Sequence, residues 1–253
     1  MNYKFKLALL MGAFIALANF NDANAQDIKI LTSETANKMP KIYVEKSNKH
    51  IKIPQPSSES LKIIYDDLSQ KYPKNMKNSA YLIISVQNQR MYLINKNKIL
   101  QEFVISTAKK GIGNEINSYQ TPLGAHIIFD KIGDKAPLNT VFKDRKNTNK
   151  IATILKNEGE IDNEDGITTR VMPLSGLEVG KNHGEIEREI DGVVKKILID
   201  SQKRDIYIHG TREEGNLGMP ASHGCIRMFN ADVAILFSLV KSGKNGTLVL
   251  IQE

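Results

Sequence analysis

Short apolar runs separated by polar turns dominate the chain from about residue 80 onward. Such runs, rich in Ile, Val, Leu and Tyr, predict β-strands, and the short connections between the first three predict hairpins. The predicted strands are residues 81–86, 90–94, 99–106, 123–129, 168–172, 193–199, 205–208 and 247–251. The pattern therefore predicts a β-rich domain in the larger, later part of the chain.

Two segments have helical spacing instead. Residues 60–72 place large apolar side chains three or four positions apart, and Pro73 is expected to end the helix that they predict. A second helix is predicted to begin at Asn230, as its cap, and to terminate at Gly243. Many short strands with one or two helices indicate the α+β class, mostly β.

The first 25 residues have the pattern of a secretory signal peptide. Lys4 and Lys6 precede an apolar run over residues 7–18, and small residues end the segment at Ala25. We therefore expect cleavage after Ala25 and secretion across the inner membrane, into the periplasm or the cell wall. The alternative, an uncleaved anchor, is disfavoured because so short an apolar run cannot span a bilayer core of about 30 Å. No stable membrane span is expected after cleavage.

The rest of the chain divides by composition. Residues 26–79 are polar and contain three prolines before the first predicted helix, which indicates an N-terminal arm or linker with one short helix. Residues 80–252 form the predicted folded domain. Within it, residues 143–166 are a long polar insertion, with a helix predicted around residues 151–155. A connection of that length in a compact domain is typically a lid or a disordered segment.

Composition and charge narrow the function classes. The chain has 253 residues, is 41% hydrophobic and carries a formal net charge of +7. The charge suits an anionic partner, but the lysines are scattered and not arranged in a stripe, so no nucleic-acid partner is expected. The chain has no Trp, so a polysaccharide-binding surface on which sugar rings stack against Trp side chains is excluded. A single cysteine excludes an internal disulfide and a cysteine-based zinc finger.

The single cysteine lies in the most informative stretch of the sequence. Strand alternation places Tyr207 and His209 on one face, away from the core, just before Gly210 breaks the strand. Cys225 follows His209 by 16 residues, a loop long enough to return it to that histidine. A neighbouring imidazole can lower the pKa of a thiol and later protonate a leaving amine.

The residues around the cysteine are compatible with acyl-transfer chemistry. Gly224 gives a carbonyl room to approach, so amides near it could stabilise an oxyanion, and Arg227 is placed to bind a carboxylate. Two alternatives remain at this point. The cysteine could be structural, or His209 and Cys225 could bind zinc with His223, although the close spacing of the last two and the lack of a fourth ligand disfavour a metal. No metal or cofactor is expected.

These residues resemble a known family. His209-Gly-Thr, the 16-residue offset and Ser222-His-Gly-Cys-Ile-Arg-Met228 are similar to the signature of the YkuD-type L,D-transpeptidase catalytic domain. Residues 81–107 resemble that domain's opening strands, and Thr121-Pro-Leu-Gly124 resembles its Thr-Pro-x-Gly turn. The resemblance covers roughly residues 80–252, without a counterpart for residues 143–166.

The resemblance implies a β-sandwich-type fold, a role for most residues of the motif, and peptidoglycan stem peptides as partners. Cys225 would be the nucleophile and His209 its general base; the choice of His209 over His223 rests on the resemblance, because spacing alone does not make it. The other implied roles are oxyanion or loop support for Ser222, His223 and Gly224, and substrate binding for Arg227, Tyr207, Gly210 and Thr211, with loop holding as a second option for Arg227. Cys225 would then form a thioester with a tetrapeptide stem, release D-Ala and pass the acyl group to an amine.

Several functions stay open after the resemblance. A transpeptidase resolves the thioester with an amine, whereas an L,D-carboxypeptidase resolves it with water, and both need the same cysteine and histidine. A wall-binding protein without activity would be expected to have lost one of these two residues. A generic cysteine protease is disfavoured because the sequence is β-rich and the histidine precedes the cysteine.

Overall fold

The structure, a computed structural model, describes residues 55–77, 79–162 and 166–253. The chain divides into two compact units, residues 1–61 and 62–253. Of the first unit the structure describes residues 55–61, which include the start of the first helix. The predicted signal peptide and most of the predicted arm lie outside the described residues, and the predicted domain boundaries stay predictions.

The described residues contain three α-helices and twelve strands. The helices are α1 (Ser58–Lys71), α2 (Pro73–Met76) and α3 (Asn230–Leu239). The strands are β1 (Tyr81–Ser85), β2 (Arg90–Asn95), β3 (Lys98–Ser106), β4 (Gly124–Ile128), β5 (Thr140–Lys143), β6 (Lys146–Ile151), β7 (Ile167–Gly176), β8 (Glu185–Ile190), β9 (Val193–Leu198), β10 (Tyr207–Thr211), β11 (Ile226–Met228) and β12 (Leu248–Gln252). The prediction of a mostly β fold with few helices is confirmed.

Ten of these strands form one sheet that closes on itself. Their order is β10-β11-β3-β2-β1-β12-β4-β7-β5-β6, and β7 also pairs with β10. Eight strands therefore complete a ring, from which β5 and β6 extend as a hairpin. The long strands β3 and β7 make the closure possible because each pairs with different neighbours along its two halves.

The main core lies between the two halves of this ring. Apolar side chains from both halves meet there with one face of α3; they include Leu82, Met172, Ile208, Ile226 and Leu236. Each large apolar side chain buried in this way contributes about 1.5–3 kcal/mol. Ile208 and Ile226 are register partners in the parallel pair β10–β11, so the same packing fixes these two strands against each other.

The segment from residue 143 to 166 differs from its prediction. A helix around residues 151–155 is wrong, because Ile151 ends β6 and Leu155 forms a bridge with Glu213. Beyond that bridge, Asp162 forms an ion pair with Arg212 (3.0 Å), so the segment is attached to the loop after β10. β6 is almost entirely polar and exposed, and it therefore lacks the apolar pattern by which the other strands were predicted.

The helix ends also differ from the predicted ones. Pro73 follows α1 as expected, but it also begins α2. The prediction that Asn230 caps α3 is wrong: Phe229 occupies the cap position without a side-chain cap, and Asn230 is the first helical residue. The physical reason is that the Asn230 amide is buried and bound to other groups, described below.

Candidate active site

The strands β10 and β11 place the predicted site residues on one face. Ile208 is opposite Ile226, and His209 is opposite Arg227. Because both isoleucines point into the main core, strand alternation directs His209 and Arg227 to the other face. Cys225, directly before β11, belongs to that face as well.

The sulfur of Cys225 contacts the backbone at the start of β10. The amide N–H of Tyr207 donates to Sγ at 3.4 Å, and Sγ donates to the carbonyl oxygen of Asp205 at 3.4 Å. The second contact requires the S–H proton, so this geometry describes the thiol. A thiolate keeps the contact with the amide and loses the contact with the carbonyl.

His209 is buried, and its ring has a fixed orientation. Its Nδ1 lies 2.7 Å from the carbonyl oxygen of Gly210. Since a carbonyl oxygen only accepts, Nδ1 carries the proton of the neutral ring and Nε2 is the basic nitrogen. His209 lies two residues beyond Tyr207 on the same strand face, a displacement of about 7 Å from the residue that contacts the sulfur.

The loop that carries Cys225 is closed by a serine hydroxyl. Ser222 Oγ accepts from the amide of Gly224 (3.2 Å) and donates to the carbonyl oxygen of Cys225 (2.6 Å). Thr121 Oγ1 donates to the carbonyl oxygen of Gly224 at 3.0 Å. Gly224 has a φ of +134°, and a Cβ there would lie 3.2 Å from Ile206 Cδ1, so a side chain would be strained.

His223 lies on the exposed side of the same loop. Its ring packs edge-on against Tyr119, with the ring centres 6.1 Å apart. The ammonium of Lys110 lies 4.7 Å from the centre of the Tyr119 ring. These contacts link the cysteine loop to the loop after β3, an arrangement that suits support of the loop by His223.

Arg227 is buried in an ion pair with Glu213. Its Nη1 lies 2.6 Å from Glu213 Oε2, and both side chains are buried. The other oxygen of Glu213 accepts from the amide of Asp162 at 2.6 Å. This geometry suits the loop-holding option for Arg227, whereas its role in substrate binding stays a prediction.

Gly210 and Thr211 are buried beside Asn230. The Asn230 amide accepts from the hydroxyls of Thr168 (2.6 Å) and Thr169, and it donates to the Thr211 carbonyl oxygen at 2.8 Å. A Cβ at Gly210 would lie 2.5 Å from Asn230 Oδ1. Gly210 and Thr211 are therefore enclosed by protein groups, and their predicted contacts with substrate stay predictions.

The hydroxyl of Tyr207 is hydrogen-bonded to Asp205, the residue whose carbonyl oxygen also contacts the Cys225 sulfur. The hydroxyl donates to Asp205 Oδ1 at 2.5 Å. Burial, followed by this hydrogen bond to Asp205, raises the pKa of Tyr207, so the phenol stays protonated at neutral pH. Its predicted role in substrate binding stays a prediction.

One side of Cys225 borders a small apolar cluster. Phe142, Val171 and Tyr207 form its centre, with Ile132, Ala136, Ile167 and Cys225 packed around them. A cavity of about 400 Å³ is lined by three members of the cluster, Ile132, Ala136 and Phe142, together with polar residues such as Asp134 and Asn147. The hairpin β5–β6 forms part of this wall, and the site is therefore apolar on that side.

Within the described residues, no group of three or more His, Cys, Asp or Glu side chains could hold a metal ion. Nor does any helix among them have the length and apolar character needed to cross a membrane.

A family comparison agrees with this constellation. The family model of the L,D-transpeptidase catalytic domain, YkuD, matches residues 79–251, which is more than half of the chain. The chain belongs to the L,D-transpeptidase family. The resemblance carried by the cysteine motif is thereby confirmed at the level of the family.

The individual relatives of this chain are distant. YkuD of Bacillus subtilis is 33% identical over 92 residues, which cover 32% of this chain and 56% of the relative. The match therefore spans about half of the relative's length. An L,D-transpeptidase structure from Mycobacterium smegmatis has 16% identity and a TM-score of 0.38, over 69% of this chain and 59% of that one. The catalytic domain of an L,D-transpeptidase from E. faecium, acylated by ertapenem, has 17% identity and a TM-score of 0.37, over 69% and 98%.

Four further residues of the candidate site were not predicted from the sequence. Asp205 holds the sulfur and Tyr207, Glu213 pairs with Arg227, and Asn230 encloses Gly210. Arg204 lies beside Asp205 and is described below. Apart from Tyr207, which is two residues from Asp205, their partners are 14 to 91 residues away along the chain, so spacing alone carries no signal for them.

Proposed function

We propose that this family member is an exported L,D-transpeptidase with Cys225 as nucleophile and His209 as general base. The observation that carries the proposal is the shared strand face of the Cys225 thiol and the His209 ring, whose basic nitrogen is Nε2. Peptidoglycan stem peptides are the substrate class that the family implies. The proposed location is the periplasm or the cell wall.

In the first step, the sulfur of Cys225 attacks the carbonyl carbon that joins the third, diamino acid residue of a tetrapeptide stem to its terminal D-Ala. The S–H proton passes to Nε2 of His209. When the tetrahedral intermediate collapses, the C–N bond breaks and the imidazolium returns the proton to the leaving amine. Free D-Ala and a thioester to Cys225 result.

In the second step, an amine of another stem or of a different acceptor attacks the thioester carbonyl. The amine loses a proton to His209, the C–S bond breaks, and the thiol of Cys225 forms again. Water at the same position would yield a tripeptide stem instead. The apolar side formed by Phe142 and Val171 supports transfer to an amine because it limits the access of water.

Amides of the loop around Gly224 are proposed to stabilise the oxyanion of both tetrahedral intermediates. The glycine conformation supports this role, because it leaves the carbonyl of a substrate room to approach the backbone. Ser222 and Thr121 hold the loop in that conformation through their hydroxyl groups. Loss of one oxyanion donor typically lowers kcat about 100-fold or more.

The test uses residues 26–253 incubated with a purified disaccharide-tetrapeptide, followed by mass spectrometry. Cross-linked dimer and free D-Ala are expected, and the Cys225→Ala variant is expected to form neither. A matched control is Ser238→Ala, which removes a hydroxyl of similar size from the exposed side of α3. The control is expected to retain the activity of the wild type.

Two other outcomes would change the proposal. Tripeptide without dimer, dependent on Cys225, would make the protein an L,D-carboxypeptidase. No product that depends on Cys225, including with free D-amino acids as acceptors, would contradict both reactions and leave a wall-binding role.

A further inference from the structure

Arg204 lies directly before the residues that contact the Cys225 sulfur. It belongs to a turn over residues 200–205, where its amide donates to the carbonyl oxygen of Asp200 at 3.0 Å. Asp200 also accepts from two amides of the same turn through its carboxylate, at 3.0 and 3.1 Å. The turn is therefore well ordered, and it leads into β10, which carries Tyr207 and His209.

The half-buried guanidinium of Arg204 binds three oxygens of the loop between β3 and β4. Nη1 donates to the Gly113 carbonyl oxygen at 2.9 Å. Nη2 donates to the Gln120 carbonyl oxygen at 2.6 Å and to Ser118 Oγ at 3.1 Å. Because the guanidinium is planar and its donors diverge, one side chain fixes both ends of residues 113–120, which we call the 113–120 loop.

The bound loop is in direct contact with the cysteine loop. A Cβ added at Gly224 would lie 3.4 Å from the Gln120 carbonyl oxygen, so this carbonyl already packs against Gly224. The next residue, Thr121, donates its hydroxyl to the Gly224 carbonyl oxygen. The three hydrogen bonds of Arg204 therefore fix the wall on which Gly224 rests.

Arg204 also lies next to the group that holds the sulfur, because it directly precedes Asp205, whose carbonyl oxygen accepts from Sγ at 3.4 Å. Burial lowers the pKa of its guanidinium, and negative charge on Cys225 acts in the opposite direction. The effect is mutual, since a fixed cation favours the thiolate over the thiol. Ionisation of Cys225 costs the contact with the Asp205 carbonyl, and a nearby positive charge offsets part of that cost.

We propose that Arg204 is a positioning residue of this enzyme: its guanidinium fixes the 113–120 loop against Gly224 and favours the thiolate of Cys225. The proposal rests on the proposed function for its effect on turnover, but its effect on the thiol is independent of any substrate. Arg204 acts through Gln120 and through the sulfur, and it does not contact the reacting carbonyl.

The test measures the rate of Cys225 alkylation by iodoacetamide between pH 5.5 and 9.5, by intact mass, in residues 26–253. In Arg204→Gln we expect about ten-fold slower alkylation at pH 6.5 and less than two-fold change at pH 9.5, because the loss of a nearby cation disfavours the thiolate. Arg204→Lys is expected to retain most of the rate at pH 6.5. It should nevertheless lower kcat for D-Ala release several-fold, because an ammonium cannot bind all three oxygens in the same geometry.

Lys203→Gln is the matched control, since it removes a positive charge from the same turn at an exposed position. Its alkylation profile is expected to coincide with that of the wild type. Folding of each variant is checked by its thermal midpoint. Coincident profiles for folded Arg204→Gln and the wild type would overturn the thiolate part of the proposal. If Arg204→Gln does not fold, unchanged kcat in Arg204→Lys overturns the positioning part.

Failure of the proposed function has a different signature from failure of this inference. If the protein neither cross-links nor trims stems, the alkylation profiles of Arg204→Gln and the wild type still differ when the inference is correct. If the enzyme is active but the profiles coincide, the proposed function stands and Arg204 has no part in thiol ionisation.

Discussion

At the scale of single residues, the motif contains the proposed reacting groups but not the residues that hold them. The assignments of Cys225 and His209 follow from the resemblance of short sequence motifs to the family signature. Glu213 and Arg204 matter through contacts with residues far away in the sequence, and a lone Glu or Arg on a loop is typically a solvated charge. Their importance could be found only once the fold brings those partners together.

The buried ion pair of Arg227 leads to a prediction on stability. Glu213→Gln replaces the carboxylate that pairs with the buried Arg227 guanidinium by a neutral amide, so we expect the free energy of unfolding to fall by about 3 kcal/mol. Urea unfolding at pH 7 measures it. Glu187→Gln, an exposed carboxylate on β8, is the control and is expected to change stability by less than about 0.5 kcal/mol. Equal stability of both variants would contradict the prediction.

A buried histidine leads to a prediction on pH. His126 donates and accepts between the Gly124 carbonyl and Ser201 Oγ, and burial lowers its pKa from 6.5 to about 4. Between pH 6.5 and pH 4, the unfolded chain therefore binds a proton at this histidine that the folded chain does not. The free energy of unfolding falls as the pH is lowered through that window. We expect His126 to lower the free energy of unfolding by about 2 kcal/mol between pH 7 and pH 5, and we expect this decrease to be absent in His126→Gln.

Asp232 is a control in the same experiment, because its effect on the free energy of unfolding changes with pH in the opposite direction. Burial, followed by the charge of Glu214, raises the pKa of Asp232 from 3.8 to about 6, so its contribution to stability falls as pH rises from 4 to 6. Asp232→Asn should therefore make the loss of stability on acidification larger, whereas His126→Gln should make it smaller. Parallel pH profiles for both variants and the wild type would contradict the assignment.

At the scale of elements, the strands that the sequence predicts best are buried apolar runs of five or more residues. β1, β4 and β12 are buried apolar runs and were predicted within one or two residues. β6 and β8 are exposed and rich in Lys, Asn and Glu, and neither was predicted, because a surface hairpin needs no apolar run. Two further strands were missed: β5, the partner of β6, and β11, a buried strand of the ring that has only three residues and is too short for a pattern to predict.

The hairpin β5–β6 leads to a prediction on the products. Phe142 of this hairpin packs with Tyr207 beside Cys225, so Phe142→Ala opens the apolar side of the site to water. We expect the ratio of tripeptide to cross-linked dimer to rise several-fold, measured by mass spectrometry of the reaction products. Ile151→Ala changes an exposed residue of the same hairpin and should leave the ratio unchanged. An unchanged ratio in folded Phe142→Ala would show that the hairpin does not shield the thioester.

At the scale of the whole molecule, the closed ring explains why the site is rigid on one side. β10 pairs with β11 and with β7, so the strand that carries His209 has neighbours on both edges. The side chains of Ile208 and Ile226 anchor the same pair in the core. Another part of the site comes from loops and from the hairpin β5–β6, which lies outside the ring.

Ring closure also has a consequence for solubility. Among the described residues, the strand edges left open include that of β6, which carries Lys146 and Lys150, and that of β9, which carries Lys195 and Lys196. Like charges on an open edge oppose the edge-to-edge pairing through which β-proteins aggregate. We therefore expect Lys146→Val with Lys150→Val to aggregate at concentrations where the wild type scatters no light, while the fold and the thiol stay unchanged.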